Sequence, residues 1–231
     1  MYFKNSTMSV DAVIFDLDGT LIDSIGVYVR IMAEIFSRLD LPPPPDEVVF
    51  ASIRASRFNW DDVLPDNSKN RKDEIIAKAY EIIDEIYPRI FRQQVRMISG
   101  VDDILKKISL NGMKIGLVTS THKRYLTSKL QPLAEFGIDK LFDAVVAVED
   151  SQKVKPAPDP LIECSRRLEI LAERGMYVGD TCTDIQAGKA SGMKTVGVLS
   201  GATGFKELKE EHPDAIINSV ADLSGLLHFS K

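Results

Sequence analysis

The stretch Val10-Asp11-Ala12-Val13-Ile14-Phe15-Asp16-Leu17-Asp18-Gly19-Thr20-Leu21-Ile22-Asp23-Ser24 decides how the rest of the chain is read. Its apolar run, Val13-Ile14-Phe15, predicts a buried strand that stops on two acids, Asp16 and Asp18. In open α/β sheets ligands bind at the carboxyl ends of strands, so these acids stand where a site would be. Two residues apart on an extended chain, they are expected on the same side, and Gly19 permits a sharp turn behind them. Carboxylates held that close repel unless a cation or a proton lies between them. An ordinary strand exit, with Asp or Thr capping the next element, would use the same residues. The remainder of the chain has to decide.

A length of 231 residues suits one large domain or two modest ones. The net charge of −5 argues against nucleic acid as a partner, since a nucleic-acid binder needs a basic face, but leaves room for a local basic pocket. Cys164 and Cys182 are the only cysteines, too few for a disulfide framework or a zinc site. A reducing, cytoplasmic setting is the simplest expectation. No stretch approaches the roughly 18 apolar residues of a membrane span, so no membrane partner is expected. The first ten residues lack the apolar centre of a signal peptide and read as a short frayed arm.

Behind the acid pair, Ile25, Val29, Met32, Phe36 and Leu39 recur at helical spacing, and Pro42 to Pro45 must stop that helix. Asp46 reads as the N-cap of a second, short helix through Val49 and Ile53. After a polar break at Leu64 to Ser68, Ile75, Ile76, Ala79, Ile82, Ile83 and Ile86 mark a longer helix that Pro88 is expected to kink or end. From Ile22 to Val95, therefore, only helices are predicted. The style changes at Ser99-Gly100-Val101. Strands are predicted at Lys114–Thr119, Ala144–Val148, Met176–Gly179, Thr195–Leu199 and Ala215–Ile217, with helices at Asp102–Leu110, Lys123–Phe136, Pro160–Leu171 and Thr183–Ser191 between them. Strands alternating with single helices imply right-handed crossovers and a mainly parallel sheet. The expected fold is α/β: a doubly wound, Rossmann-like sheet interrupted early by a helical insert.

More polar groups fall at the ends of these strands. Thr119 follows one, Lys155 lies beyond the next, and Asp180 and Asp184 follow a third. In a parallel sheet those ends point one way, so the groups should converge on Asp16 and Asp18. Each has an ordinary alternative: a capping hydroxyl for Thr119, a solvated loop lysine for Lys155 with Lys153 a close rival, a capping acid for Asp180. Cys182 is expected to pack and His122 to lie in a surface loop. A carboxylate nest with one hydroxyl and one ammonium fits a divalent cation beside a phosphoryl group.

Together these motifs resemble the haloacid dehalogenase superfamily, in its phosphoglycolate phosphatase-like branch. Asp16-Leu17-Asp18-Gly19-Thr20-Leu21, Val118-Thr119, Lys155-Pro156-Ala157-Pro158 and Gly179-Asp180 through Asp184 match its four motifs in order, across Val10 to about Leu199. Ser120 and Ser99 depart from the residues usual there, Asn and Pro. The resemblance implies a core of residues 1–21 and 98–231 and an α-helical cap of residues 22–97. It also implies a phosphatase acting on a small phosphorylated metabolite. Asp16 would be the nucleophile and Asp18 the acid/base, with Thr119 and Lys155 holding phosphate oxygens. Mg2+ would be held by Asp16, Asp18 (through its carbonyl) and Asp180, with Asp184 orienting a bound water. Asp18 counts against dehalogenation, because relatives with that activity lack the second acid. A sugar phosphomutase shares every core residue and is the alternative; a non-catalytic binding module on this fold would not need all four motifs. Arg54, Arg57 and Trp60 are tempting cap residues, but a solvated helix face with one packed Trp accounts for them equally well.

Overall fold

The computed structural model describes residues 2–3, 8–55 and 58–229. In chain order the elements are β1 (Tyr2–Phe3), β2 (Ala12–Phe15), β3 (Ile22–Asp23), α1 (Ile25–Arg38), α2 (Asp46–Arg54), α3 (Trp60–Val63), α4 (Lys72–Gln94) and β4 (Arg96–Met97). There follow α5 (Val101–Leu110), β5 (Lys114–Val118), α6 (Lys123–Ala134), β6 (Ala144–Val146), α7 (Asp159–Leu168), β7 (Gly175–Gly179), α8 (Cys182–Ala190), β8 (Lys194–Val198), α9 (Phe205–Glu210) and β9 (Ala215–Ile217).

The main sheet runs β1-β9-β8-β7-β2-β5-β6 and is parallel except where β1 joins β9. β2 is central because all four of its residues are apolar and buried, which suits a strand covered on both faces. Its alternation divides the core. Val13 and Phe15 join Ile104, Leu105 and Ile108 of α5 on one face, while Ala12 and Ile14 meet Leu161, Cys164 and Leu168 of α7 on the other. Burying each such large side chain contributes about 1.5–3 kcal/mol. The chain visits β5 and β6 on one side of β2 and then crosses to β7, β8 and β9 on the other. That reversal opens a crevice at the carboxyl ends of β2, β5 and β7. Register sets those ends level, since Phe15 pairs with both Leu117 and Val178.

The helical segment leaves and rejoins this sheet through a two-stranded crossing, Ile22–Asp23 against Arg96–Met97. Within it α1 packs on α4, burying Val27, Ile31, Met32, Ile35 and Phe36 against Ile86, Tyr87, Ile90 and Phe91. Four local expectations need correction. Pro88 lies inside α4, which continues to Gln94; burial of Ile86, Tyr87, Ile90 and Phe91 around it offsets the missing hydrogen bond. Pro45 takes the N-cap position of α2, and Asp46 sits in the first turn, where an acid suits the helix dipole. α7 ends earlier than its apolar pattern suggested, because Glu169 turns left-handed (φ 57°) behind Leu168. Finally, Tyr2–Phe3 is not frayed: its backbone pairs antiparallel with Ala215 and Ile216, satisfying the otherwise open edge of β9.

Candidate active site

The backbone leaves β2 at Asp16, whose N–H donates to the Val178 carbonyl (2.9 Å), so the carboxylate stands between the ends of β2 and β7. Lys155 reaches it from the loop before α7: Nζ lies 2.6 Å from Asp16 Oδ1, 2.6 Å from Asp184 Oδ1 and 3.2 Å from the Tyr177 hydroxyl. Lys155 is buried whereas its rival Lys153 is exposed. Asp184, on the first turn of α8, is fixed further by Tyr177 (3.1 Å) and by the Thr181 hydroxyl and N–H, in a capping box that opens the helix. Asp180 accepts from the Ala202 N–H at 2.8 Å and the Thr20 hydroxyl at 3.3 Å. Asp16, Asp180 and Asp184 are all buried, and each offers an oxygen within 4.8 Å of the others.

The Asp18 carboxylate is not one of that trio. Its Oδ1 accepts from Ser24 Oγ (2.6 Å) and from the Tyr28 hydroxyl of α1 (3.1 Å), and its Oδ2 pairs with Lys129 of α6. The two acids that sequence spacing sets on one side thus turn to different partners. Thr119 is buried, and its hydroxyl contacts Thr121, donating to Oγ1 (2.9 Å) and accepting from the N–H (3.1 Å). Ser120 is exposed, as is His122, which lies 3.0 Å from Glu149. Trp60 is buried between Phe58 and Tyr80. Arg54 is half-buried at the end of α2, and Arg57 lies outside the described residues.

Charge is unevenly spread over these groups. Burial, against the pull of Lys155 and with the repulsion of Asp184 and Asp18, pushes the Asp16 carboxyl up to about 7. Burial and the same kind of crowding, from Asp184 and Asp16, push Asp180 well above the usual carboxylate range. For Asp18 burial also works upward, but Lys129, Ser24 and Tyr28 outweigh it and hold the carboxyl below its ordinary value. Burial disfavours the Lys155 ammonium, yet Asp16 and Asp184 more than compensate and raise its pKa well above normal. Two close approaches of the backbone leave room for this arrangement. Gly19 (φ 77°) and Gly201 both abut Asp180, and a Cβ on Gly201 would stand 1.9 Å from Asp180 Oδ2.

The sequence model of the haloacid dehalogenase-like hydrolases matches residues 13–198. The chain belongs to that family. It is 30% identical to the phosphoglycolate phosphatase of Escherichia coli K12 over 241 residues, covering 95% of this chain and 93% of that one. It is 31% identical over 226 residues to a protein of Caldanaerobacter subterraneus provisionally named pyrophosphatase PpaX, covering 95% and 96% of the two chains. Among solved structures, CbbY of Rhodobacter sphaeroides in complex with phosphate superposes with a TM-score of 0.72 at 19% identity, covering 94% of this chain and 99% of that one. The fold is that of these Rossmann-like hydrolases, and the chain is an enzyme, a phosphatase of the family.

As a hydrolase of this family the chain offers a donor set suited to a hard divalent cation. All the grouped donors are carboxylate oxygens, and of the three buried acids Asp16 and Asp184 share one ammonium, Lys155, so negative charge is in excess. Several members of the site left little trace in the sequence. Tyr177 sits mid-strand among apolar residues, Thr20 and Ala202 reach Asp180 from distant parts of the chain through a hydroxyl and an N–H, and Thr181 holds Asp184 as an ordinary helix cap would. Lys129 did leave a signal. It interrupts the apolar stripe Tyr125–Lys129–Leu133 of α6 at i+4 spacing, the mark of a lysine aimed inward.

Proposed function

We propose that the protein is a magnesium-dependent phosphatase of small phosphate monoesters, of the phosphoglycolate or sugar-phosphate kind, working through an aspartyl-phosphate on Asp16. The observation that carries this reading is the buried group Asp16, Asp180 and Asp184 closed by Lys155 at the level ends of β2 and β7. Asp16 attacks phosphorus, the bond from phosphorus to the leaving oxygen breaks, and Asp18 supplies the proton which that oxygen takes. Water then attacks the phosphoenzyme and gives a proton to Asp18; the bond to Asp16 breaks and inorganic phosphate departs. Lys155 holds Asp16 in place and, with Thr119 and the N–H groups after Asp16, faces the phosphoryl oxygens. Magnesium, held by Asp16, Asp180 and the Asp18 carbonyl with Asp184 behind them, would neutralise charge between nucleophile and phosphate.

Residues 22–97 act in this reading as a cap over the crevice. α4 meets α6 of the core through Tyr87 on Tyr125 (ring centroids 4.4 Å apart) and Arg124 on Asp84 (3.2 Å), a polar and aromatic contact suited to closing and reopening. The test is a panel of phosphoglycolate, sugar phosphates, pyrophosphate and an aryl phosphate, assayed with magnesium, with chelator, and with Asp16→Asn. Release of inorganic phosphate that chelation and Asp16→Asn both abolish is expected. Full activity under chelation would refute the metal, turnover by Asp16→Asn would refute the nucleophile, and phosphate moved within a sugar without release would identify a mutase.

A further inference from the structure

Lys129 has no place in the chemistry described so far, yet its environment is unusual. Its side chain is 3% exposed, and its ammonium contacts the Asp18 carboxylate and the Tyr28 hydroxyl. The ammonium also stands over the rings of Tyr28 (5.1 Å) and Phe91 (5.5 Å). A buried ion pair is a poor device for stability: desolvating the two charges costs about as much as their attraction returns, and an apolar residue of similar volume packs as well. Methionine would fill the space between those rings. A lysine here therefore serves the group it touches.

What it touches is held in a particular way. Asp18 Oδ1 accepts from Ser24 and Tyr28, and Oδ2 accepts from Lys129, with the Thr121 hydroxyl at 3.5 Å. Every one of these partners is a donor. Such a shell fixes where each carboxylate oxygen points, and its hydroxyls can turn to accept when Asp18 carries a proton. It is drawn from both parts of the molecule: Ser24 and Tyr28 lie at the start of the helical segment, Lys129 and Thr121 in the core. The Tyr28 hydroxyl bridges the two sets, contacting Asp18 and Lys129 together.

We propose that Lys129, bridged by Tyr28, is a positioning residue that orients the Asp18 carboxylate for the second half of the reaction, the attack of water on the phosphoenzyme. The inference rests on the phosphatase reading given above. In that step the water O–H bond breaks, its proton passes to Asp18, the new bond forms at phosphorus, and the bond to Asp16 breaks. Lys129 acts on the reaction through Asp18, the carboxylate it contacts. The first half-reaction, with an aryl ester whose leaving group departs without proton assistance, does not call on it.

The experiment compares wild type, Lys129→Met, Tyr28→Phe and Asp18→Asn with an aryl phosphate and magnesium, by steady-state kinetics and by acid-quench mass spectrometry of the enzyme. Phosphorylation governs kcat/KM and hydrolysis of the phosphoenzyme governs kcat when the second step is slow. Lys129→Met should lower kcat about tenfold, a fraction of the 10²–10⁴-fold a general base supplies, with kcat/KM within twofold of wild type and phosphate accumulating on Asp16. Tyr28→Phe, which keeps the ring packing, should shift the same quantities in the same direction by less and stands as an independent test of the bridge. A packing role would lower kcat and kcat/KM together without trapping phosphate, and that result overturns the proposal. Trapped phosphoenzyme in Asp18→Asn but in neither other variant overturns the role of Lys129 alone. Its absence in all three overturns the role of Asp18 as well.

Discussion

Gly201 offers a sharp test of how Asp180 is held. An alanine there would place its Cβ 1.9 Å from Asp180 Oδ2, 2.2 Å from Cγ and 2.4 Å from Cβ. Non-bonded heavy atoms rest at about 3.5 Å or more, so the carboxylate must move by on the order of 1 Å or more. Moving it breaks the 2.8 Å bond from the Ala202 N–H as well. Overpacking of this kind costs about 1–3 kcal/mol, which in a chain of this size lowers Tm by roughly 2–12 °C. The larger effect should be on the metal. Displacing a ligand or its support weakens affinity about 10–100-fold, so the magnesium concentration at half-maximal rate should rise by that factor in Gly201→Ala. Gly26→Ala is the control: nothing lies within 4 Å of its added Cβ, and it sits in α1. It should stabilise by about 0.5–1 kcal/mol and leave the magnesium dependence alone. Initial rates against magnesium, with thermal melts of the same samples, measure both. A folded Gly201→Ala enzyme with the wild-type magnesium dependence would show that Asp180 is not a ligand.

Two further outcomes follow from the charges. Without the ion, Asp16 titrates at about 7 in the folded chain and near 3.9 unfolded. The native state therefore binds the extra proton between those values, and apo stability should fall as pH rises through that window. Magnesium competes with that proton, so the rise in Tm on adding it should be larger at pH 8 than at pH 5.5; an equal rise at both would refute the coupling. Lys155→Met strands Asp16 and Asp184 without their shared ammonium. We expect aryl phosphatase activity to fall on the order of 10²–10³-fold, and Tm to drop more at pH 8 than at pH 5.5, where protonation relieves the repulsion; activity near wild type would remove Lys155 from the site.

The ends of β2, β5 and β7 were legible because their apolar runs stop abruptly on polar residues, and a buried parallel strand requires that contrast. Asp16, Asp180, Asp184 and Lys155 could thus be brought together on paper. The partners of Asp18 could not. Ser24, Tyr28 and Lys129 reach it from the crossing, from α1 and from α6, and no local pattern records how a helical segment sits on a core. Pro88 does not end α4, because burial of one helix face outweighs one absent hydrogen bond. The N-terminal strand was hidden for a different reason: two residues carry no period, and only the open edge of β9 makes them pair.

Composition cannot tell Asp16 from Asp18, yet the fold gives them opposite surroundings. Asp16 shares Lys155 with Asp184 and faces Asp180, so its charge is in surplus and invites a cation. Asp18 has Lys129 as its ammonium partner, with Ser24 and Tyr28 as further donors, so its charge is already balanced and no second cation is called for. Without an ion, burial and crowding drive the Asp16 carboxyl up, while Lys129, Ser24 and Tyr28 hold Asp18 down. Lys155 and Lys129 therefore do unlike work, though both are buried ammonium groups on an aspartate. One leaves its aspartates short of positive charge, and the other leaves its aspartate with enough. That difference, rather than the spacing of the two acids, is what would draw a cation to the Asp16 carboxylate rather than to that of Asp18.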